Sequence, residues 1–405
     1  MIHINLKLSL FALFIFISSF YKAQEITKTK FGKGLYNVVA EDSSWSMKFG
    51  ARFQTLFIGE WNIHDSLGLT ESNSKFLTRR ARLKFDGFAF NPKLQYKIEL
   101  GLSNRDISGA STYTSNSPNY IFDAVLKWNF YENFQLWIGQ TKLPGNRERV
   151  ISSGDLQFVD RSLLNSRFNI DRDMGAQLRH HIKIGNTFLI REMIACSQGE
   201  GRNVTSDNYG GYQWTGRLEF LPFGSFQSKG DYVGSDLKRE EKPKLSLAFT
   251  YDLNDRAVKS RSNMGSYLVN DVGLYETDIN TIFVDAMFKF KGFSWMGEFA
   301  DRQAEDPYVK NSDGTLTGDV VSVGRGINTQ IGYLFKNNWE IATRFTQIEL
   351  DKKVTGKNIE NQYTLGVSKY ISGHKLKVQS DLSYLDVVDS KNNEVMFRLQ
   401  MDVHF

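Results

Sequence analysis

Residues 119–130 read NYIFDAVLKWNF, and their large apolar side chains recur at every second position. Alternate side chains of a β-strand point to opposite faces, so the two sets separate across the strand. One set holds Tyr120, Phe122, Ala124, Leu126, Trp128 and Phe130, and the other holds Ile121, Asp123, Val125, Lys127 and Asn129. The stretch therefore predicts a strand with one apolar face and one face that carries charge.

The same alternation recurs along the chain in segments of roughly ten residues or slightly more, each with one apolar and one polar face. It predicts sixteen strands, over residues 44–59, 75–89, 93–104, 119–130, 133–143, 171–184, 187–198, 210–221, 243–252, 278–290, 292–302, 325–335, 338–349, 359–371, 374–386 and 393–405. Tight turns alternate with longer polar loops, at 61–74, 103–118, 144–170, 253–277 and 303–324. The connection 222–242 is an exception, because it is long where a tight turn is expected.

This layout predicts an all-β protein, a sixteen-stranded antiparallel transmembrane β-barrel with short periplasmic turns and long external loops, over residues 44–405. A soluble sandwich of two sheets would also alternate. The charged second face of almost every strand favours the barrel, since a membrane requires closure of the sheet and leaves that face in water. The net charge of +5, from 50 basic and 45 acidic residues, is too balanced to indicate nucleic-acid binding.

Both ends of the chain carry targeting features. Lys7 precedes the apolar run LSLFALFIFISSF, which predicts a signal peptide over residues 1–23, followed by a short periplasmic segment over 24–43. The last strand ends in an alternating series that closes on Phe405, which resembles the insertion signal of outer-membrane barrels.

A barrel of sixteen strands is wide enough for a water-filled lumen, so its polar face predicts the lining of a channel. Inferred inward positions carry more basic than acidic side chains, which favours anions. The expected anion track consists of Arg80, Arg82, Lys84, Arg52, Lys48, Lys97 and Lys127. The alternative is that the Arg80–Lys84 cluster pairs with Glu99 and Asp123, which would leave a neutral wall. Arg79 falls on the lipid-facing side and is expected near a rim.

The connection 144–170 is long and of mixed charge, as expected of a third external loop that folds inward and narrows a pore. The basic residues of this candidate constriction are Arg147, Arg149, Arg161 and Arg167. A solvated surface loop is the alternative.

Several motifs, in order along the mature chain, resemble the phosphate-selective porin family, porins O and P, in the form common in Bacteroidota. They are RRARL at 79–83, FDAVLKW at 122–128, GQTKLP at 139–144, NIDRDMGAQL at 169–178 and GRLEFLPFG at 216–224. The resemblance implies a homotrimer of sixteen-stranded barrels that passes anions, with phosphate or polyphosphate as the named substrates. It also implies an arginine ladder, for which Arg80 and Arg82 are the candidates.

We therefore expect a bacterial outer-membrane porin for passive diffusion of small inorganic anions, with membrane lipid and the barrel-assembly machinery as partners. A general or weakly selective porin is the alternative, followed by an outer-membrane enzyme or an adhesin. No catalytic residue, metal site or cofactor is expected. The single Cys196 excludes a disulfide framework, and no G-x-S-x-G motif accompanies the histidines.

Overall fold

The computed structural model describes residues 30–64, 68–107, 111–390 and 393–405. The predicted signal peptide lies outside these residues, as does the beginning of the periplasmic segment. Sixteen antiparallel strands form one sheet: β1 Ser46–His64, β2 Gly68–Ala89, β3 Asn91–Gly101, β4 Ile121–Tyr131, β5 Phe134–Lys142, β6 Arg172–Ile184, β7 Phe188–Ser197, β8 Gln213–Leu221, β9 Lys244–Ala257, β10 Thr277–Phe290, β11 Phe293–Ala304, β12 Gly324–Leu334, β13 Trp339–Leu350, β14 Glu360–Tyr370, β15 Leu376–Val387 and β16 Asn393–His404.

The sheet closes on itself. Each strand pairs with its neighbour in the chain, and β1 pairs with β16 from Arg52 opposite His404 to Ile63 opposite Asn393. A short strand at Tyr36–Val39 pairs with the start of β1, beyond the end of β16. Closure leaves no unpaired edge, as a barrel in hydrocarbon requires. The predicted sixteen-stranded barrel is confirmed.

The remaining elements are small and lie in the connections. Within the described residues the helices are α1 Arg147–Val150, α2 Leu163–Phe168 and α3 Lys352–Thr355, with 3-10 turns at Thr112–Thr114 and Gln227–Tyr232. The long loops contain short hairpins, which pair Lys259–Arg261 with Met264–Tyr267, Val269–Asn270 with Gly273–Leu274, and Tyr308–Lys310 with Leu316–Val320. In the part of the chain that the structure describes, no helix is long and apolar enough to span a membrane.

The two faces of the strands have the predicted chemistry. Outward apolar side chains are exposed, as at Trp128 and Leu218, whereas inward polar side chains such as Gln54 and Asp402 are fully buried. An outward apolar band suits the hydrocarbon of a membrane, and polar groups inside the barrel suit water or one another.

The connections alternate between two ends of the barrel. Short turns follow β2, β4, β6, β10, β12 and β14, and long loops lie at the opposite end. The predicted loop over 61–74 is wrong for most of its length, because β1 continues to His64 and β2 begins at Gly68. The connection after β8, residues 222–243, is long as its sequence indicates.

Two β-bulges change which side chains point inward. Glu99 lies opposite Asp123 while Leu100 lies opposite Ile121, so Phe122 is an extra residue in its strand. A bulge turns two successive side chains to one face. Phe122 therefore points into the lumen, 5% exposed, and its expected place on the apolar face is wrong.

The second bulge lies in β2, where Arg80 is opposite Gln54 and Thr78 is opposite Thr55. Arg79 is the extra residue and points inward, and its Nη2 lies 2.7 Å from Asp160 Oδ2. The expected lipid-facing position of Arg79 is therefore wrong.

Candidate functional site: a basic cavity in the lumen

The loop between β5 and β6 lies inside the barrel. Asn146 donates to Glu298 at 2.9 Å, Gln157 donates to Glu340 at 2.8 Å, and the Val159 N–H donates to Asp381 at 3.2 Å. These acceptors are inward side chains of β11, β13 and β15, on the far side of the lumen from β5. The loop, residues 143–171, therefore crosses the lumen and lies against that wall.

An apolar cluster fixes the loop in this position. Leu164 and Phe168 of α2 are fully buried, together with the inward-facing Phe283 of β10 and Ile348 of β13. Burial of one such side chain stabilises a fold by about 1.5–3 kcal/mol. The lumen wall therefore includes an apolar patch where α2 covers it, beside the inward carboxylates that the loop also contacts.

Two of the four loop arginines attach the loop to the wall. Arg147 is fully buried, and its Nε lies 2.7 Å from Asp285 Oδ1. Arg167 Nη2 lies 2.9 Å from Glu360 Oε1. These two cations are engaged by strand carboxylates on the covered side of the lumen.

The other two loop arginines face open space. Arg149 pairs with Asp171, whereas Arg161 donates to the carbonyl oxygens of Glu148 and Ile151 at 2.8 and 2.7 Å. Burial and the nearby positive charge of Arg149 lower the pKa of Arg161 to about 9. Arg161 thus remains cationic at neutral pH without a direct carboxylate ligand.

Between this loop and strands β2–β8 lies an open cavity of about 870 Å³. Its lining contains twelve Lys or Arg residues and two carboxylates. The basic residues are Arg82, Lys97, Lys127, Lys142, Arg149, Arg161, Arg172, Arg179, Lys183, Arg191, Arg217 and Lys229, and the acidic ones are Glu99 and Asp123. The lining is strongly basic although the whole chain is nearly balanced.

Near the long-loop end of the cavity the charges are paired. Lys97 Nζ lies 2.6 Å from Asp123 and 2.7 Å from Glu99. Arg82 lies 3.0 Å from Glu99 and 2.7 Å from Asp106. Of the alternative in which the Arg80–Lys84 cluster pairs with Glu99 and Asp123, the Arg82–Glu99 pair is present, whereas Asp123 pairs with Lys97 and Arg172.

The Phe122 ring lies among three guanidinium groups at this end. Its centroid is 4.1 Å from Arg82 Cζ, 4.8 Å from Arg172 Cζ and 4.0 Å from Arg202 Cζ. A guanidinium over a ring face is attracted to the ring quadrupole. The bulged Phe122 thus helps to hold like charges close together at the end of the cavity.

In the middle of the wall, Lys127 of β4 and Arg179 of β6 flank Trp137 of β5. Lys127 Nζ and Arg179 Cζ each lie 3.9 Å from the Trp137 ring. Arg179 also donates to Gln177 at 2.7 Å. Among the residues that the structure describes, neither cation forms an ion pair with a carboxylate. Their charge therefore faces the cavity uncompensated.

Arg179 begins a series on the inward face of β6. His181 and Lys183 follow at two-residue steps toward the short-turn end, and all three line the cavity. The steps span about 7 Å each by strand rise. Arg179 was an inferred inward position but not part of the expected anion track. Trp137, His181 and Lys183 were not assigned from the sequence, although the alternation in residues 179–183 could have indicated the last two.

The expected anion track divides between two places. Arg82, Lys97 and Lys127 line the cavity, whereas Lys48, Arg52, Arg80 and Lys84 do not. Loop 143–171 covers Arg80, which is 2% exposed and lies 3.1 Å from Asp160.

Outside the cavity, Arg52 pairs with Asp402 at 2.7 Å, and Lys84 pairs with Asp86 at 2.8 Å. At the chain end, the Phe405 N–H donates to the Ala51 carbonyl at 2.9 Å, and its ring meets Phe31 edge-on. The role of Phe405 in insertion stays a prediction.

Comparison with known proteins assigns the fold to a family. The model of the family described as phosphate-selective porin O and P matches residues 62–404. The chain belongs to this family. Its members are porins, so family and barrel together identify a channel of the bacterial outer membrane rather than an enzyme. The predicted family and location are confirmed.

Individual relatives of this porin are distant. An uncharacterised protein of Aquifex aeolicus strain VF5 is 24% identical over 366 residues, which cover 83% of this chain and 82% of the relative. The anion-selective porin of Comamonas acidovorans superposes with a TM-score of 0.55 at 11% identity, over 89% of this chain and all of that one.

Two further solved structures share the fold. The outer membrane channel DcaP of Acinetobacter baumannii has a TM-score of 0.52 at 13% identity, over 91% of this chain and 99% of that one. The trimer form of OmpT of Vibrio cholerae has a TM-score of 0.51 at 13% identity, over 89% of this chain and 100% of that one. At such identities these structures support the barrel fold alone.

Proposed function

We propose that this porin passes small inorganic anions by diffusion through the basic cavity between loop 143–171 and strands β2–β8. The observation that carries the proposal is the pair Lys127 and Arg179, which flank Trp137 without a carboxylate partner. Charges that line a pore set its selectivity. An uncompensated cationic stretch raises the local anion concentration and repels cations.

The distribution of charge along the cavity supports a stepwise passage. An anion entering from the long-loop end first meets Arg82 and Lys97, whose charges are shared with Glu99 and Asp123. It then reaches the uncompensated middle of the wall and leaves past Lys183. Weak sites in series allow an ion to enter and also to leave, which conduction requires. In this mechanism loop 143–171 is the constriction.

The solute and the assembly are extensions of the same proposal. The family description names phosphate, and the neighbour from Comamonas acidovorans is titled an anion-selective porin, so phosphate or polyphosphate are the first solutes to test. The OmpT neighbour has a trimer form, which supports a homotrimer. The terminal Phe405 is the proposed signal for the barrel-assembly machinery, and outer-membrane lipid surrounds the barrel.

The experiment is reconstitution of the purified protein in a planar lipid bilayer under a tenfold KCl gradient. We expect stepwise conductance and a reversal potential on the anion side. Added phosphate should reduce the chloride current if phosphate binds the cationic stretch. A reversal potential on the cation side would refute anion passage, and an anion preference without phosphate block would favour a general anion porin.

A further inference from the structure

The connection between β8 and β9, residues 222–243, is the one long connection at the short-turn end of the barrel within the described residues. We call it the floor segment. It does not project into solvent, because its backbone is bound inside the lumen by Lys289 of β10. Lys289 is 1% exposed, and its Nζ lies 2.8 Å from the carbonyl oxygens of Gly230, Val233 and Ser235.

The floor segment extends across the opening of the barrel. Arg239 donates to the Leu334 carbonyl at 2.6 Å, at the end of β12. The Gly292 N–H donates to Asp236 at 2.8 Å, in the turn between β10 and β11. The segment therefore reaches from β8 to β12 beneath the wall that loop 143–171 covers.

The floor segment also contacts the constriction loop directly. The Gly234 N–H donates to the Asp155 carbonyl at 2.7 Å, and Arg147 donates to the Asp231 carbonyl at 3.1 Å. A buried apolar cluster joins Phe226 of the floor to Ile151 and Leu156 of the loop. The two segments thus form one packed body inside the barrel.

Buried charges connect this body to the wall without adding net charge to it. Arg147, Arg191 and Arg217 form ion pairs with Glu219, Asp231 and Asp285, three cations against three carboxylates. Tyr232 of the floor donates to Glu219 at 2.6 Å. Each buried charge has a partner, as burial requires.

We propose that the floor segment is a second pore element, which anchors loop 143–171 and closes the turn-side exit beneath β9–β12. Ions then leave only past the floor residues that line the open cavity, which are Ser225, Phe226, Lys229 and Tyr232. The part that concerns ions rests on the proposed function, whereas the anchoring does not.

The test removes the three hydrogen bonds with Lys289→Met, and Lys242→Met is the matched control because Lys242 is an exposed residue of the same segment. Ser235→Cys in a Cys196→Ala background reports detachment, since Ser235 is 1% exposed. Hydrogen bonds from a charged group are stronger than neutral ones, so we expect thiol labelling of that cysteine to accelerate at least about tenfold with Lys289→Met and to stay unchanged with Lys242→Met.

Single-channel conductance should rise roughly twofold in Lys289→Met, as the covered side of the lumen opens. Gly234→Ala is a second variant, because a Cβ there would lie 2.5 Å from the Gln157 nitrogen and push the two segments apart. Heat-modifiable gel mobility checks that each variant is folded. Folded variants with wild-type labelling and conductance would overturn the proposal. Faster labelling in a channel that prefers cations would refute anion passage and leave the anchoring intact.

Discussion

Removal of the two uncompensated cations should weaken anion preference by a calculable amount. The perturbation is the double substitution Lys127→Met and Arg179→Met, which keeps an unbranched stem at each position and removes both charges beside Trp137. The 870 Å³ cavity corresponds to a sphere with a radius of about 6 Å, at which a unit charge in water contributes about 0.7 kcal/mol. Screening at 0.1 M salt, with a Debye length of about 10 Å, reduces this to about 0.4 kcal/mol.

That energy is a factor of about two in local anion concentration for each charge, and about four for both. The assay is the anion-to-cation permeability ratio from reversal potentials in planar bilayers, at several salt concentrations. Removal of the charges raises the local cation concentration by the same factor, so we expect the ratio to fall about sixteenfold at 0.1 M, with a smaller difference at 1 M, where screening is stronger.

The matched control is Lys84→Met. Lys84 pairs with Asp86 and lies outside the cavity lining, so its removal should leave the ratio unchanged. A double variant that conducts with the wild-type ratio would refute the reasoning. If the permeability ratio falls equally in Lys84→Met, selectivity depends on the total charge of the lumen instead.

Three further results are expected. Asp285→Asn removes one of the two carboxylates that Arg147 and Arg217 share, the other being Glu219, and loss of one partner of a buried pair costs about 3–5 kcal/mol, measurable as a lower urea midpoint in lipid vesicles. Phe122→Leu removes three cation–ring contacts at about 0.5 kcal/mol each and should lower the same midpoint by about half as much as Asp285→Asn or less. Burial, aided by the Asp173 charge, raises the pKa of Glu200 in the external connection 198–212 from 4.5 to about 8. The stability of that loop should therefore fall from pH 5 to pH 8 and level off above pH 8. Faster proteolysis of the loop would measure this fall, and Glu200→Gln should remove the pH dependence.

The barrel was predictable because strand alternation is local. Each of the sixteen strands shows its two faces within its own residues, and the order of short and long connections follows from their lengths. The bulges were not predictable in this way. The extra residues Arg79 and Phe122 do not disturb the apolar and polar alternation of the sequence around them. Only the pairing of their strands with β1 and β3 reveals the bulges.

The division of the lumen depends on contacts between distant residues. Arg80 and Arg82 look equivalent in the sequence, yet Arg80 lies beneath loop 143–171 while Arg82 lines the open cavity. The loop residue Asp160, which is far from Arg80 in the sequence, sets this difference because it pairs with Arg80. The unusual length of the 222–243 connection was visible in the sequence, but its inward direction depends on Lys289.

The placement of Arg161 on the loop and Arg179 on the wall of one cavity has a consequence for an anion that passes between them. Both residues border the same gap, one on the loop and one on the strand wall. The attractions that these two positive groups exert on an anion act in opposite directions across the gap and add along the axis of the pore. An anion is therefore drawn into the gap by both groups but passes close to one or the other, because any sideways displacement strengthens the attraction of the nearer group.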